Sequence, residues 1–188
     1  MKSKLLKLRK NQSTFPLELL EETELECLEI ISDQLEVLPN NISKLKNLKI
    51  LSLNTPGLIS LPESLIDFQK LETLKIKNTT ITNLGEIPFP SSLKVFICSN
   101  NKIETIPDWV FTLPNIEHLD FSGNEINNLS EKIILLPFLR RLVLDRNNII
   151  TITHKLKNCP CLTHLSLDGN PLSEESKKML NEEFGIWF

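Results

Sequence analysis

The chain has 188 residues, 40% of them hydrophobic, and a formal net charge of −3. That balance argues against nucleic-acid binding, which rests on a concentrated basic face. No run approaches the ~18 apolar residues of a membrane-spanning helix, and the four cysteines (Cys27, Cys98, Cys159, Cys161) show neither a C-x-x-C pair nor zinc-ligand spacing.

The N-terminal stretch Met1–Lys10 carries Lys2, Lys4, Lys7, Arg9 and Lys10, separated by short apolar pairs. It lacks the apolar core of a secretory signal, about 7–15 residues long. Within it, Leu6-Lys7-Leu8-Arg9-Lys10-Asn11 reads L-x-L-x-x-N, and Phe15-Pro16 and Leu19 follow. Residues 3–24 are predicted to be a degenerate capping repeat with one residue deleted. Ser3 and Ser13 stand in place of apolar residues, as suits a unit with one face in water. Its Lys-rich edge strand discourages edge-to-edge pairing.

From there a repeat runs along the chain. Its leading apolar residues are Leu25, Leu48, Leu71, Leu93, Ile116, Leu139 and Leu162, spaced 23 apart except for 22 between Leu71 and Leu93. The third apolar position holds Ile30, Leu53, Ile76, Cys98, Phe121, Leu144 and Leu167. The ninth position holds Asp33, Pro56, Thr79, Asn101, Asn124, Asn147 and Asn170. A second half, L-P-x-x-I-x-x-L, is clear at Leu38-Pro39, Leu61-Pro62 and Ile106-Pro107. Each L-x-L is predicted to be a short strand with its Leu side chains inward and their neighbours outward. One unit cannot bury its apolar face alone, but stacked units share a continuous core. The amide at position 9 can satisfy turn groups that have no ladder partner.

Pro56 offers neither amide nor N–H, so Asn54-Thr55-Pro56-Gly57 is predicted to be a different turn. The unit from Leu71 is one residue short, and its return through Gly85-Glu86-Ile87-Pro88-Phe89-Pro90 is predicted to be irregular. Prolines in the other returns favour single 3₁₀ turns over long helices. At the C-terminus Ser173 suits an N-cap, with Glu174 and Glu175 in the first turn. Leu172, Met179, Leu180 and Phe184 form an apolar stripe, and Gly185 suits the C′ position. This helix is predicted to close the core, with Trp187 and Phe188 helping to cover it.

The pattern, clearest in Leu139-Arg140-Arg141-Leu142-Val143-Leu144-Asp145-Arg146-Asn147-Asn148-Ile149, resembles the leucine-rich-repeat family in its 23-residue L-x-x-L-x-L-x-x-N-x-L-x-x-L-P form. The resemblance covers nearly the whole chain. It implies an α/β right-handed solenoid: a curved parallel β-sheet on the concave face, 3₁₀ or irregular turns on the convex face, and a C-terminal capping helix. The expectation is one domain over 1–188, with a cap at 3–24, repeats at 25–172 and a cap at 173–188. The family serves mainly as a binding scaffold for many kinds of partner.

Outward residues of such a sheet stack in columns about 4.8 Å apart. Position 3 reads Leu5, Cys27, Ile50, Thr73, Val95, His118, Arg141, His164. Position 5 reads Lys7, Glu29, Ser52, Lys75, Ile97, Asp120, Val143, Ser166, and position 7 reads Arg9, Ile31, Asn54, Lys77, Ser99, Ser122, Asp145, Asp168. Ile50, Val95, Ile97 and Val143 are apolar residues predicted to face water, rimmed by Lys75, Lys77, His118, Asp120, Arg141 and Asp145. Such a patch suits a contact surface. Position 2 alternates in sign through Lys4, Glu26, Lys49, Glu72, Lys94, Glu117 and Arg140, which reads as a register-setting ladder.

Other chemistries are less well served. His118, Asp120 and Ser122 are triad types on one strand, but position 3 to position 7 spans ~13 Å and no nucleophile elbow accompanies them. His118 and His164 are separated by Arg141, whose cation opposes a metal. Asp145 and Asp168 are adjacent carboxylates beside Arg146. Cys98 and Cys159 fall on inward positions, and Cys159 and Cys161 are too close for an ordinary disulfide, so the thiols suit a reducing compartment. The expected function is therefore a non-enzymatic module holding a protein or peptide on the concave face. It needs no cofactor or metal, has no nucleic-acid partner, and is cytoplasmic by default, with secretion or delivery to a host left open. The alternative is a self-associating structural protein, a homodimer through the concave face or an open end, with a metal-bridged form included.

Overall fold

The computed structural model describes residues 1–8, 12–86 and 89–187. Eight strands lie side by side in chain order in one parallel sheet. They are β1 (Ser3–Lys7), β2 (Cys27–Ile31), β3 (Ile50–Asn54), β4 (Thr73–Lys77), β5 (Val95–Ser99), β6 (His118–Asp120), β7 (Arg141–Val143) and β8 (His164–Ser166). The inward residue of each central strand, from Leu28 and Leu51 through Leu74, Phe96 and Leu119 to Leu142, is fully buried. From β2 onward the strands pair one repeat apart, with Cys27 opposite Ile50, Ile50 opposite Thr73 and Thr73 opposite Val95. This is the solenoid of stacked units that the repeat spacing predicts.

The first unit departs from its predicted alignment. Lys4, not Leu6, sits opposite Leu28, and Leu6 sits opposite Ile30. The Lys2 carbonyl accepts from the N–H groups of Glu26 and Cys27, as the Glu26 carbonyl accepts from those of Lys49 and Ile50. Ser3, Leu5 and Lys7 therefore head the three outward columns, in place of Leu5, Lys7 and Arg9. Arg9, Lys10 and Asn11 lie outside the described residues. A slip of two residues leaves every side chain on the same face, so alternation alone does not choose between the two alignments. In the adopted one Leu6 and Leu8 still pack against the core, and Lys4 reaches Glu22 as an ion pair.

The turn leaving each strand follows a rule the apolar pattern does not show. Position 8 is left-handed in five units, at Asn78 (φ 53°), Asn100 (56°), Gly123 (67°), Arg146 (53°) and Gly169 (72°). In the two units with Asp33 and Pro56 at position 9, position 8 is instead a buried hydroxyl residue, Ser32 or Thr55, while Asp33 and Pro56 are exposed. Ser32 Oγ accepts from the N–H groups of Gln34 (3.3 Å) and Leu35 (3.0 Å), and so performs the turn-satisfying task one position early. Thr55 is equally buried, but its hydroxyl has no partner among the described residues. The different turn predicted at Asn54–Gly57 is thus present. Arg146 is the residue least suited to a left-handed backbone. Arg146→Gly is expected to raise stability by about 1 kcal/mol, measured by urea denaturation. A loss instead would mean that the arginine stem packed over Gly169 outweighs the backbone strain.

The convex side carries short 3₁₀ turns at Leu17–Glu21, Ile42–Lys44, Glu63–Asp67, Asp108–Thr112, Glu131–Leu135 and His154–Asn158. Three of them start directly after a proline, at Pro16, Pro62 and Pro107. Proline fixes φ near the required value and leaves no orphan N–H. Where proline is missing, Ser130 and Thr153 accept from the N–H groups of Lys132 and Lys155 instead. The short unit from Leu71 has no such turn among its described residues. Its Phe89 is buried and stacks on Trp109 of the next unit (centroids 4.2 Å, 10°), whose Nε1 donates to the Gly85 carbonyl at 2.8 Å. Ile87 and Pro88 lie outside the described residues.

The chain closes with helix α1 (Glu174–Phe184), capped by Ser173 Oγ accepting from Ser176 N and ended by left-handed Gly185. Leu172, Met179 and Leu180 are buried against the last unit, as the apolar stripe predicts. The prediction for Trp187 is corrected: it is 83% exposed. Beyond Gly185 the Ile186 N–H donates to the Leu180 carbonyl, and Ile186 packs on the core. That bond turns Ile186 onto the core in the way such helix ends do, and the next residue faces water. Phe188 lies outside the described residues.

Candidate functional site

The sheet brings most of the predicted site residues onto one face. Ile50 lies on β3, Lys75 and Lys77 on β4, Val95 and Ile97 on β5, His118 and Asp120 on β6, and Arg141 and Val143 on β7. Thr73, Val95, His118, Arg141 and His164 form one row across the strands, and Lys75, Ile97, Asp120, Val143 and Ser166 form the next. Asp145 follows two residues after β7, because the last three strands end after three residues. The ladder nevertheless continues past their ends, with Phe121 N donating to Val143 O and Gly123 N to Asp145 O.

The rows differ in accessibility. Ile50, Val95 and Ile97 are half-buried, Arg141 is exposed, and Val143 is only 6% exposed. Val143 was predicted to face water. It belongs to the outward row but is covered there. The patch therefore narrows to Ile50, Val95 and Ile97.

Two carboxylates on the face, Asp120 and Asp145, each commit one oxygen to a turn. Asp120 Oδ1 accepts from Ser122 N (2.9 Å) and Ser122 Oγ (2.6 Å), folding the turn after β6. Asp145 Oδ1 accepts from Ser166 Oγ (2.6 Å) and Asp168 N (2.9 Å), tying one unit to the next. Nothing in the sequence pattern separates these roles from a binding role, although a serine two residues after Asp120 is the cue for a local side-chain turn. Lys75, Lys77 and Arg141 form no ion pair among the described residues. The His118 Nε2 atom is buried without a hydrogen-bond partner among the described residues. Burial, and after it the Arg141 guanidinium, hold the His118 imidazole below its usual pKa.

The position-2 ladder resolves into discrete pairs: Lys49 with Glu26 at 2.6 Å, Lys94 with Glu72 at 3.2 Å and Arg140 with Glu117 at 3.9 Å. Lys4 leaves the ladder for Glu22, and the N-terminal amine approaches Glu26 at 3.6 Å. A second series went unread in the sequence. On the convex side Lys132 pairs with Asp108 and Lys155 with Glu131, each across one repeat. Exposed pairs of this kind contribute ~0–1 kcal/mol each. No group of three or more His, Cys, Asp or Glu residues suited to a metal occurs among the described residues. All four cysteines are free thiols, and burial pushes the Cys98 thiol up to about 12. No helix among the described residues is long and apolar enough to cross a membrane.

The leucine-rich-repeat family model matches residues 69–126 and 91–149, and the stacked parallel strands have the fold of that family. No curated protein matches the chain. Among solved structures it resembles internalin C2 of Listeria monocytogenes (22% identity, TM-score 0.76), covering 98% of this chain and 78% of that one. It resembles TLR13 in its complex with ssRNA13 (26% identity, TM-score 0.77), covering 94% of this chain and 26% of that one. A Leptospira interrogans leucine-rich-repeat protein is 25% identical with a TM-score of 0.57; the match covers 94% of this chain and spans 57% of that protein.

Proposed function

We propose that the chain is a non-enzymatic interaction module whose concave sheet face holds a segment of a partner protein. The observation that carries this reading is the half-buried apolar patch of Ile50, Val95 and Ile97, flanked by the cations Lys75, Lys77 and Arg141, which form no ion pair among the described residues. The patch lies on a sheet built before any partner arrives, so little ordering cost is charged against binding. An apolar centre with a charged rim is the usual anatomy of a protein contact. The face is an open surface. Grooves of about 780 Å³ (around Ser130 and Thr153) and 700 Å³ (around Lys46 and Lys70) lie among the return turns, away from these residues. Small molecules favour enclosed pockets, whereas an open face suits a macromolecule.

The test is a pairwise affinity measurement with a purified partner identified by a screen using the intact chain as bait. Val95→Asp and Ile97→Asp are each expected to weaken binding about 30-fold or more, the effect of losing a central contact, with the circular dichroism spectrum preserved. An unchanged affinity would remove the concave face from consideration.

A further inference from the structure

Position 3 of the last three strands carries His118, Arg141 and His164, paired directly across the sheet. Strand spacing places them about 4.8 Å apart at their backbones, with the guanidinium in the middle. His118 is half-buried, and Arg141 and His164 are exposed. Three side chains that can all carry positive charge thus stand side by side; Arg141 and His164 disfavour protonation of His118, and Asp120 acts the other way. Asp120 partly offsets this repulsion at His118, but among the described residues no carboxylate forms an ion pair with Arg141 or His164. Asp120 and Asp145 spend their carboxylates on turn hydrogen bonds. Asp168, four residues along from His164, is ~13 Å away by strand rise. The buried Nε2 of His118 meanwhile lacks a partner among the described residues.

We propose that His118, Arg141 and His164 form a receptor row for an oxyanion, a carboxylate or a phosphoryl group, carried by a partner polypeptide. The proposal rests on the concave face being the partner surface and adds the chemistry of what binds there. A planar guanidinium takes an oxyanion through two parallel hydrogen bonds, and an imidazole on each side can donate to the remaining oxygens. The same central cation disfavours a metal between the two histidines. Val95 continues the row on the other side of His118, so an apolar residue near the oxyanion on the partner would meet Val95 and Ile97. A polypeptide fits better than a nucleic acid. One localised anion matches one row, whereas a polyanion would need a run of cations and would meet Glu29, Asp120, Asp145 and Asp168 on the same face.

The chain has three histidines, and the third, His154, sits on the convex side near Glu183, where it serves as an internal control. Histidine ring resonances of the full chain are followed by NMR during titration with inorganic phosphate, with acetate, and with a short single-stranded RNA, each against sodium chloride at equal ionic strength. Phosphate or acetate is expected to shift His118 and His164 saturably and to leave His154 unmoved. Tighter saturation by phosphate assigns the phosphoryl source, and saturation by acetate alone assigns the carboxylate. Arg141→Ala, an exposed position that leaves the core intact, is expected to weaken saturation about tenfold or more, as for loss of a charge-assisted pair. Equal drift of all three histidines would mean an adventitious ion only and would overturn the proposal, as would no saturable shift. RNA saturating below the phosphate concentration would overturn the polypeptide carrier. This readout needs no partner, so it separates from the Val95→Asp and Ile97→Asp test: either can fail while the other holds.

Discussion

Phe96→Ala is expected to remove about 4 kcal/mol of stability, in the range for deleting a fully buried aromatic side chain. Phe96 has no exposed surface, and it stands where the regular architecture is interrupted. The unit from Leu71 is one residue short and lacks a 3₁₀ turn among its described residues, so apolar volume there comes from rings. Phe96 lies 5.3 Å from Phe89, 5.5 Å from Phe121 in an edge-on arrangement, and 6.1 Å from Trp109. Removing the central ring leaves Phe89, Trp109 and Phe121 around a gap, and a stacked pair anchored through Trp109 to the Gly85 carbonyl cannot collapse freely into it. Phe96→Leu keeps much of the volume and is expected to cost less, about 1–2 kcal/mol. Because each repeat contacts mainly its neighbours, the loss should be local. Amide exchange is expected to speed up in the units from Leu71 to Ile126 and to change little around β2. Denaturant titration gives the magnitude, and uniform acceleration across the chain would contradict the local account.

The repeat was legible because it is imposed by burial. Every unit must present apolar residues inward at fixed intervals, and from Leu25 to Leu167 they fall where the spacing puts them, with Cys98 standing in for an aliphatic side chain. What stayed illegible has a common cause: it depends on geometry that the apolar pattern leaves degenerate. Leu6 and Leu8 alternate equally well in two alignments two residues apart, and a backbone ladder between Lys2 and Cys27 decides between them. Val143 occupies an outward position yet is covered, because facing a curved sheet's inner side is not the same as facing water. Trp187 is apolar and follows a capping helix, but the left-handed turn at Gly185 gives the covering task to Ile186. The site shows the same division. Its membership, and the placing of Arg141 between two imidazoles, followed from the column positions, while the use of Asp120 and Asp145 in turn hydrogen bonds appears only with coordinates.

Asn124→Leu is expected to cost about 4 kcal/mol, although it exchanges a polar group for an apolar one of similar size in the core. Asn124 Oδ1 accepts from the Ile103 N–H at 3.0 Å, and Nδ2 donates to the carbonyls of Cys98 (2.7 Å) and Phe121 (2.9 Å). One amide thus binds the unit before it and its own turn. Asn147 repeats the arrangement with Ile126 N, Phe121 O and Leu144 O, and Asn170 repeats it with Ile149 N, Leu144 O and Leu167 O. Leucine at position 124 would leave the Ile103 N–H and the Cys98 carbonyl buried without that partner, while the Phe121 carbonyl keeps Asn147, at about 1–3 kcal/mol for each fully desolvated group. The same position elsewhere gives the discriminating comparison. Asp33 and Pro56 are exposed, and Ser32 already satisfies the turn in its own unit, so Asp33→Ala and Pro56→Ala are expected to fall within about 0.5 kcal/mol of the unaltered chain. Asn170, in the half-buried last unit, is expected to lie between, at roughly 2 kcal/mol for Asn170→Ala. The ordering Asn124, then Asn170, then Asp33, measured in one denaturant series, follows from hydrogen-bond counts and burial at equivalent positions. Equal costs at all three would mean that the repeat position itself, rather than the bonds it makes, determines stability.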